Sequence, residues 1–239
     1  MTRQSGFTLI EIAIVLVIIG LLLGGILKGQ ELITGAKVRN LISQVDGVKA
    51  AFFGFQDRYR AYPGDYSQAV ANIAGVVATG DGNGNGRIET AAASGKCCDE
   101  SVLVWDHLSH AGFITGTYTA VPTGTTPSNS SNPSNPYNVI IQLAYDMDYS
   151  DGASAADTAT VPRHNVKTGN QIPVEIIAEV DRKVDDGRAN TGGFRGSIYN
   201  NLNGGGGTSG DKCWDTSPGN VGAWRVTSGI SNCGGASLL

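Results

Sequence analysis

Phe7–Leu27, FTLIEIAIVLVIIGLLLGGIL, is a run of 21 residues in which Glu11 is the one charge and Thr8 the one other polar side chain. As a helix rising about 1.5 Å per residue it covers roughly 30 Å, the hydrocarbon thickness of a bilayer. A cleaved secretory signal would close on a small-x-small site, and the run is followed instead by Lys28-Gly29-Gln30. A plain membrane anchor accounts for the length and for Arg3 on the cytoplasmic side. It does not account for Glu11. A carboxylate at membrane depth costs about 2.5–3.5 kcal/mol on insertion scales, and the run holds no basic residue. The partner therefore comes from outside the run, or Glu11 stays protonated.

Beyond Lys28 the pattern changes without a break. Ile33, Val38, Leu41, Ile42, Val45, Val48, Phe52, Phe55 and Tyr59 recur at three- and four-residue steps, with Glu31, Lys37, Arg39, Gln44, Asp46, Lys49 and Asp57 between them. That period predicts an amphipathic helix, and the first strong stop is Tyr62-Pro63-Gly64. One helix is thus expected to be apolar all round in its first half and striped in its second, the stripe requiring a sheet to cover it. Gly20, Gly24, Gly25 and Gly29 loosen it, each by about 1 kcal/mol relative to alanine.

The chain has 239 residues, 41% hydrophobic and 16% charged, too apolar for a disordered protein. A net charge of −4 and a pI near 5.3 argue against a nucleic-acid partner. No G-x-S-x-G, H-E-x-x-H or phosphate-binding loop occurs, and Gly204–Gly207 lacks the lysine and following helix of a phosphate cradle. His107 and His110 lie one turn apart but have no evident third ligand, so they read as surface histidines, not a metal pair. The chain is expected not to be an enzyme.

Gly6-Phe7-Thr8-Leu9-Ile10-Glu11, after a short polar leader with one basic residue, resembles the processing site of type IV prepilins and type II secretion pseudopilins. The resemblance is strong over residues 1–60 and thin beyond. It implies a leader, residues 1–6, that prepilin peptidase removes between Gly6 and Phe7 before methylating the new N-terminus. It implies a transmembrane and filament-core helix over 7–28, an amphipathic continuation over 29–62 and a globular head over 63–239. It gives Glu11 a partner, the N-terminal ammonium of Phe7 on a neighbouring subunit, an attraction that is strong once both charges are desolvated. The implied protein is a non-enzymatic filament subunit, held in bacterial inner-membrane lipid with its head in the periplasm and then taken by an assembly platform into a filament with itself and other pilins. The alternative is a membrane-anchored binding module of the cell envelope that does not polymerise. Many major pilins carry a proline shortly past the middle of this helix, whereas none occurs here between Met1 and Arg60.

The implied fold is α+β, the long helix packed on a small antiparallel sheet with Gly-rich loops. In the head, Ser67–Val77 and Asp99–Ala111 read as helices, the latter starting at Asp99 and ending before Gly112. Asn138–Tyr145, Pro173–Val180 and the shorter Trp224–Thr227 read as strands, and Pro122–Pro136 as an exposed linker. Gly80–Ile88 (GDGNGNGRI) matches the first half of an EF-hand loop: Asp81, Asn83 and Asn85 at positions 1, 3 and 5, the Arg87 carbonyl at 7 and Glu89 at 9. Position 12 is Ala92, so calcium would need a carboxylate from elsewhere, such as Asp99 or Glu100, and Ile88 could anchor the loop to the core. The other reading is a solvated turn; with the resemblance, any bound Ca2+ would be structural. Asp146, Asp148 and Asp151, and Asp181, Asp185 and Asp186, read as turn-capping acids, the second set partly neutralised by Arg182 and Lys183.

Cys97, Cys98, Cys213 and Cys233 beside a membrane-targeting N-terminus point to disulfides. Of three connectivities, Cys213–Cys233 is preferred, as a C-terminal disulfide loop of the kind common in pilins. Cys97 and Cys98 can bridge each other or pair with the distal cysteines.

Overall fold

The computed structural model describes residues 9–91, 97–120, 127–152, 159–198, 213–215 and 221–239. The fold is α+β: among the described residues are a long N-terminal helix, α1 (Leu9–Tyr59), three shorter helices and one antiparallel sheet of four strands. The chain divides into two compact units, Met1–Lys37 and Val38–Leu239, with the boundary inside α1. The second unit takes in the second half of the helix from Val38. In the first unit the apolar side chains are bare: Leu9, Ile10, Leu16, Leu21 and Leu27 are 64–89% exposed. This segment is long and apolar enough to cross a membrane.

From Val38 onward one face is buried, at Val38, Leu41, Val45, Val48, Ala51, Phe52 and Phe55. Ile33, expected in that stripe, is 60% exposed, and Ala51 joins it. The cover is not a sheet alone. Val48, Ala51, Phe52 and Phe55 share a core with Val104, Trp105 and Leu108 of α3 (Glu100–His110) and with Ile141, Leu143 and Val166 beside or in the sheet. Val38 and Leu41 pack with Val174, Ile177 and Ala178 of α4 (Val174–Val184) and with the Cys213–Cys233 bridge.

Helix α3 forms as expected. Asp99 is extended at its N-cap, Glu100 lies in its first turn, and Gly112 leaves it with φ +77°. Helix α4 is a correction, because Pro173–Val180 was expected as a strand. Val174, Ile176, Ala178 and Val180 satisfy a period of two, but Val174, Ile177, Ala178 and Asp181 are buried as well, at the i, i+3, i+4 and i+7 steps of one helical face. Pro173 precedes the first turn, where no amide is required. The helix expected over Ser67–Val77 is a single turn, α2 (Ala69–Asn72).

The strands are β1 (Gln142–Asp146), β2 (Arg163–Lys167), β3 (Phe194–Gly196) and β4 (Gly235–Leu238), in spatial order β1-β2-β4-β3. Gln142 faces Lys167, Lys167 faces Ala236 and Phe194 faces Ser237. Only β1 overlaps an expected strand. Trp224 forms an isolated bridge to Trp214 and lies outside the sheet. The small residues of β4 have a packing reason, since a side chain on Gly235 would run into the Phe194 ring. Residues 127–136 of the expected linker are partly internal: Asn132 and Asn135 are buried, donating to the carbonyls of Ile141 and Thr168.

Phe55 is fully buried, with its ring centroid 4.5 Å from that of Tyr59 and 6.0 Å from that of Phe113. Phe55→Ala is expected to lower head stability by about 3–5 kcal/mol, measured by denaturant unfolding of the detergent-solubilised full chain.

Candidate functional site

Of the residues expected at the processing and assembly site, Gly6 and Phe7 lie outside the described residues, and Glu11 sits in the first turn of α1. The helical segment that carries Glu11 presents apolar side chains on every side. Residues 1–27 match the family model described as the prokaryotic N-terminal methylation motif. The chain carries the type IV pilin and pseudopilin signature. No curated protein and no solved structure matches the chain. The pilin-type motif brings with it N-terminal processing and an apolar helix suited to membrane anchoring.

In the head, the glycine loop is held by carboxylates outside the loop. Asp65, just after the helix stop, accepts from the amides of Asn85 and Gly86 at 3.0 and 2.8 Å. Glu100 accepts from those of Asn83 and Glu89 at 2.8 and 3.1 Å. Within the loop Asn83 accepts from the Asn85 amide, Asn85 from the Arg87 amide, and Asn83 donates to Glu89. Gly82 must be glycine because a side chain there would meet the Asp65 backbone. Ile88 is fully buried, as expected, and anchors the loop. The Asp81 carboxylate accepts from the Val70 amide on α2. Glu100, one of the two carboxylates proposed for the missing twelfth position, does reach the loop. Asp65 was missed; the one signal for it was an acid directly after Pro63-Gly64.

His107 overturns the surface-histidine reading. It is fully buried; its Nδ1 accepts from the Gly64 amide at 2.9 Å and its Nε2–H donates to the Gly80 carbonyl at 2.8 Å. Both ring nitrogens are used, so it cannot pair with His110 on a metal. Burial, partly offset by the Gly80 carbonyl, pulls its pKa down to about 4, leaving it neutral. It ties the end of the long helix to the glycine loop. His164 is half-buried among the rings of Phe52, Tyr62 and Tyr145, with its pKa likewise lowered to about 4 by burial.

Both acidic sets cap turns as expected, Asp146 accepting from the Asp148 amide, Asp185 from those of Gly193 and Phe194 and Asp186 from that of Arg188, and both hold further contacts. Asp146 takes the ammonium of Lys167, which is fully buried and also donates to Gln142 at 3.1 Å. Arg182 and Lys183 do not neutralise the second set, since both pair with Glu179. Asp181, Asp185 and Asp186 bring one carboxylate oxygen each within 4.8 Å of the others, a grouping that could hold a metal ion. The bridges are Cys213–Cys233, as preferred, and Cys97–Cys98.

Glu100 is 1% exposed, and its pKa is pushed up to about 7 by burial, against the amides of Asn83 and Glu89 and reinforced by Asp65 and Glu89. The folded state therefore holds this proton well above the ordinary value of 4.5. The associated stability is full below that value and is lost as pH rises through about 7. His107 and His164, kept neutral, act in the opposite direction over much of the same window. The clean measurement is thus a difference. Gln mimics the protonated acid, so the stability advantage of wild type over Glu100→Gln is expected to fall by roughly 2 kcal/mol between pH 5 and 7.5, read by denaturant unfolding in EDTA.

Proposed function

We propose that the chain is a structural subunit of a type IV pilus or type II secretion pseudopilus, without enzymatic activity of its own. The observation that carries this is the coincidence of the methylation motif over residues 1–27 with a helical segment whose apolar side chains are exposed on all sides. Prepilin peptidase cuts between Gly6 and Phe7 and methylates the Phe7 amine. Until assembly, the apolar helix rests in the inner membrane with the head in the periplasm. Drawn out by the assembly platform, it trades lipid for the same helix of other subunits, and Glu11 meets the Phe7 ammonium of a neighbour. A charge pair in that medium is favourable only when both members are present together, so it sets the register of one subunit against the next. Any calcium in the head is structural in this reading, a brace for loops on a surface that bears mechanical load.

A groove in the head favours the second reading, an anchored binding module. Gln44, Trp105, Phe113, Tyr118, Pro133 and Ile141 are among the residues lining a volume of about 340 Å³, and the buried indole N–H of Trp105 and Oε1 of Gln44 have no hydrogen-bond partner.

Mass spectrometry of protein recovered from its host is expected to find chains beginning at methylated Phe7. Glu11→Ala is expected to be cleaved and folded but absent from sheared filaments. Chains that retain Met1, or a Glu11→Ala variant that assembles normally, would sink the filament reading; function of the soluble head alone would favour the binding module.

A further inference from the structure

The C-terminal end of α4 carries charge of the wrong sign. A helix C-terminus bears the negative pole of the backbone dipoles and favours cations, yet Asp181, Asp185 and Asp186 gather there. The basic side chains around them are committed elsewhere. Arg182 and Lys183 pair with Glu179, Arg188 donates through its guanidinium to the Val221 carbonyl, and Arg195 donates to the carbonyls of Gly192 and Ser150. Asp185 is fixed by the amides of Gly193 and Phe194, and Asp186 by the Arg188 amide and the Thr191 hydroxyl. These bonds set the turn and leave lone pairs on the carboxylates.

The second observation is independent of the clustering. Asp181 is fully buried. Its Oδ2 accepts from the Trp224 indole N–H at 2.6 Å, and its Oδ1 has no hydrogen-bond partner. A buried carboxylate oxygen without a partner is costly. Burial, together with the neighbouring Asp186 and Asp185, drives the Asp181 pKa up to about 6, against the Trp224 bond and the Gly187 amide. One oxygen is thus unsatisfied, and the neighbouring carboxylates are of its own sign.

We propose that Asp181, Asp185 and Asp186 form a site for a hard divalent cation, calcium by its donor chemistry, with Asp181 Oδ1 as the buried ligand. All the donors are carboxylate oxygens, the ligands that hard cations take. Calcium accepts them at 2.3–2.6 Å in irregular geometry, whereas magnesium needs about 2.0–2.1 Å in a near-ideal octahedron. Oxygens within 4.8 Å of one another are compatible with an ion of calcium's size. The ion would join three pieces of the head: the end of α4, the Gly193–Phe194 turn leading into β3, and, through Trp224, the segment enclosed by the Cys213–Cys233 bridge. This site is separate from the glycine loop and does not depend on whether the chain assembles.

The test uses the full chain in detergent, stripped with EDTA, with terbium as a luminescent probe excited through tryptophan and calcium as competitor. Wild type is expected to give sensitised emission that calcium displaces, and a calcium-dependent rise in melting temperature. Asp181→Asn, and separately the double variant Asp185→Asn with Asp186→Asn, are expected to weaken calcium binding by about 10–100-fold. The double variant keeps the oxygens that accept the turn amides, and it stands as the test if Asp181→Asn does not fold. Wild type that binds no calcium up to about 10 mM, beyond the range of extracellular modules, would overturn the site. So would binding that survives both variants, or binding that disappears only in Asn83→Ala or Glu100→Gln, which would place the ion at the glycine loop. None of these results bears on cleavage at Gly6 or on assembly.

Discussion

A helix satisfies its own backbone hydrogen bonds, so the medium it tolerates is chosen by its side chains alone. Along α1 that choice changes near Lys37. Before it, the apolar side chains from Leu9 to Ile33 are exposed, most of them over more than half of their surface. After it, Val38 to Phe55 are covered by α3, α4 and the sheet edge. At about 25 cal/mol per Å² of apolar surface, the first segment cannot rest in water at equilibrium. Lipid or other copies of itself are the media that satisfy it, and a motif for N-terminal processing stands at its start. A head that began after the helix would leave the striped half bare as well. The head's core is built on that half for this reason.

How much of this was legible follows from which signals are local. The apolar run, the stripe after it, helix α3 and the Ile88 anchor all depend on residues close together in sequence, and they were read correctly. Helix α4 was misread because four of its buried residues fall at even spacing; the two that decide for a helix are Ile177 and Asp181, and a buried Asp is not read as core. Strands β2, β3 and β4 are three to five residues long, and they contain Asn165, Lys167, Gly196 and Ser237 where an apolar alternation would be sought. Their burial comes from neighbours far along the chain. The same holds for His107: its partners, Gly64 and Gly80, lie 43 and 27 residues away, so nothing near it in sequence marked it as internal.

The buried ionisable groups of the head show what this fold does with charge. His107 gives up its charge and spends both nitrogens on backbone. Lys167 keeps an acid, Asp146, and an amide oxygen, Gln142, beside it. Glu100 has a backbone amide on each oxygen. In all three, the polar atoms that burial strips of water are given partners within the chain, as the cost of leaving them bare demands. Asp181 stands outside that pattern. It lies at the negative end of a helix, beside two more acids, with one oxygen bonded to Trp224 and the other to nothing. Asp106 also keeps an oxygen without a hydrogen-bond partner, but His110 Nδ1 lies 3.1 Å from it; around Asp181 the neighbouring charges are two more acids, which is the arrangement of a ligand.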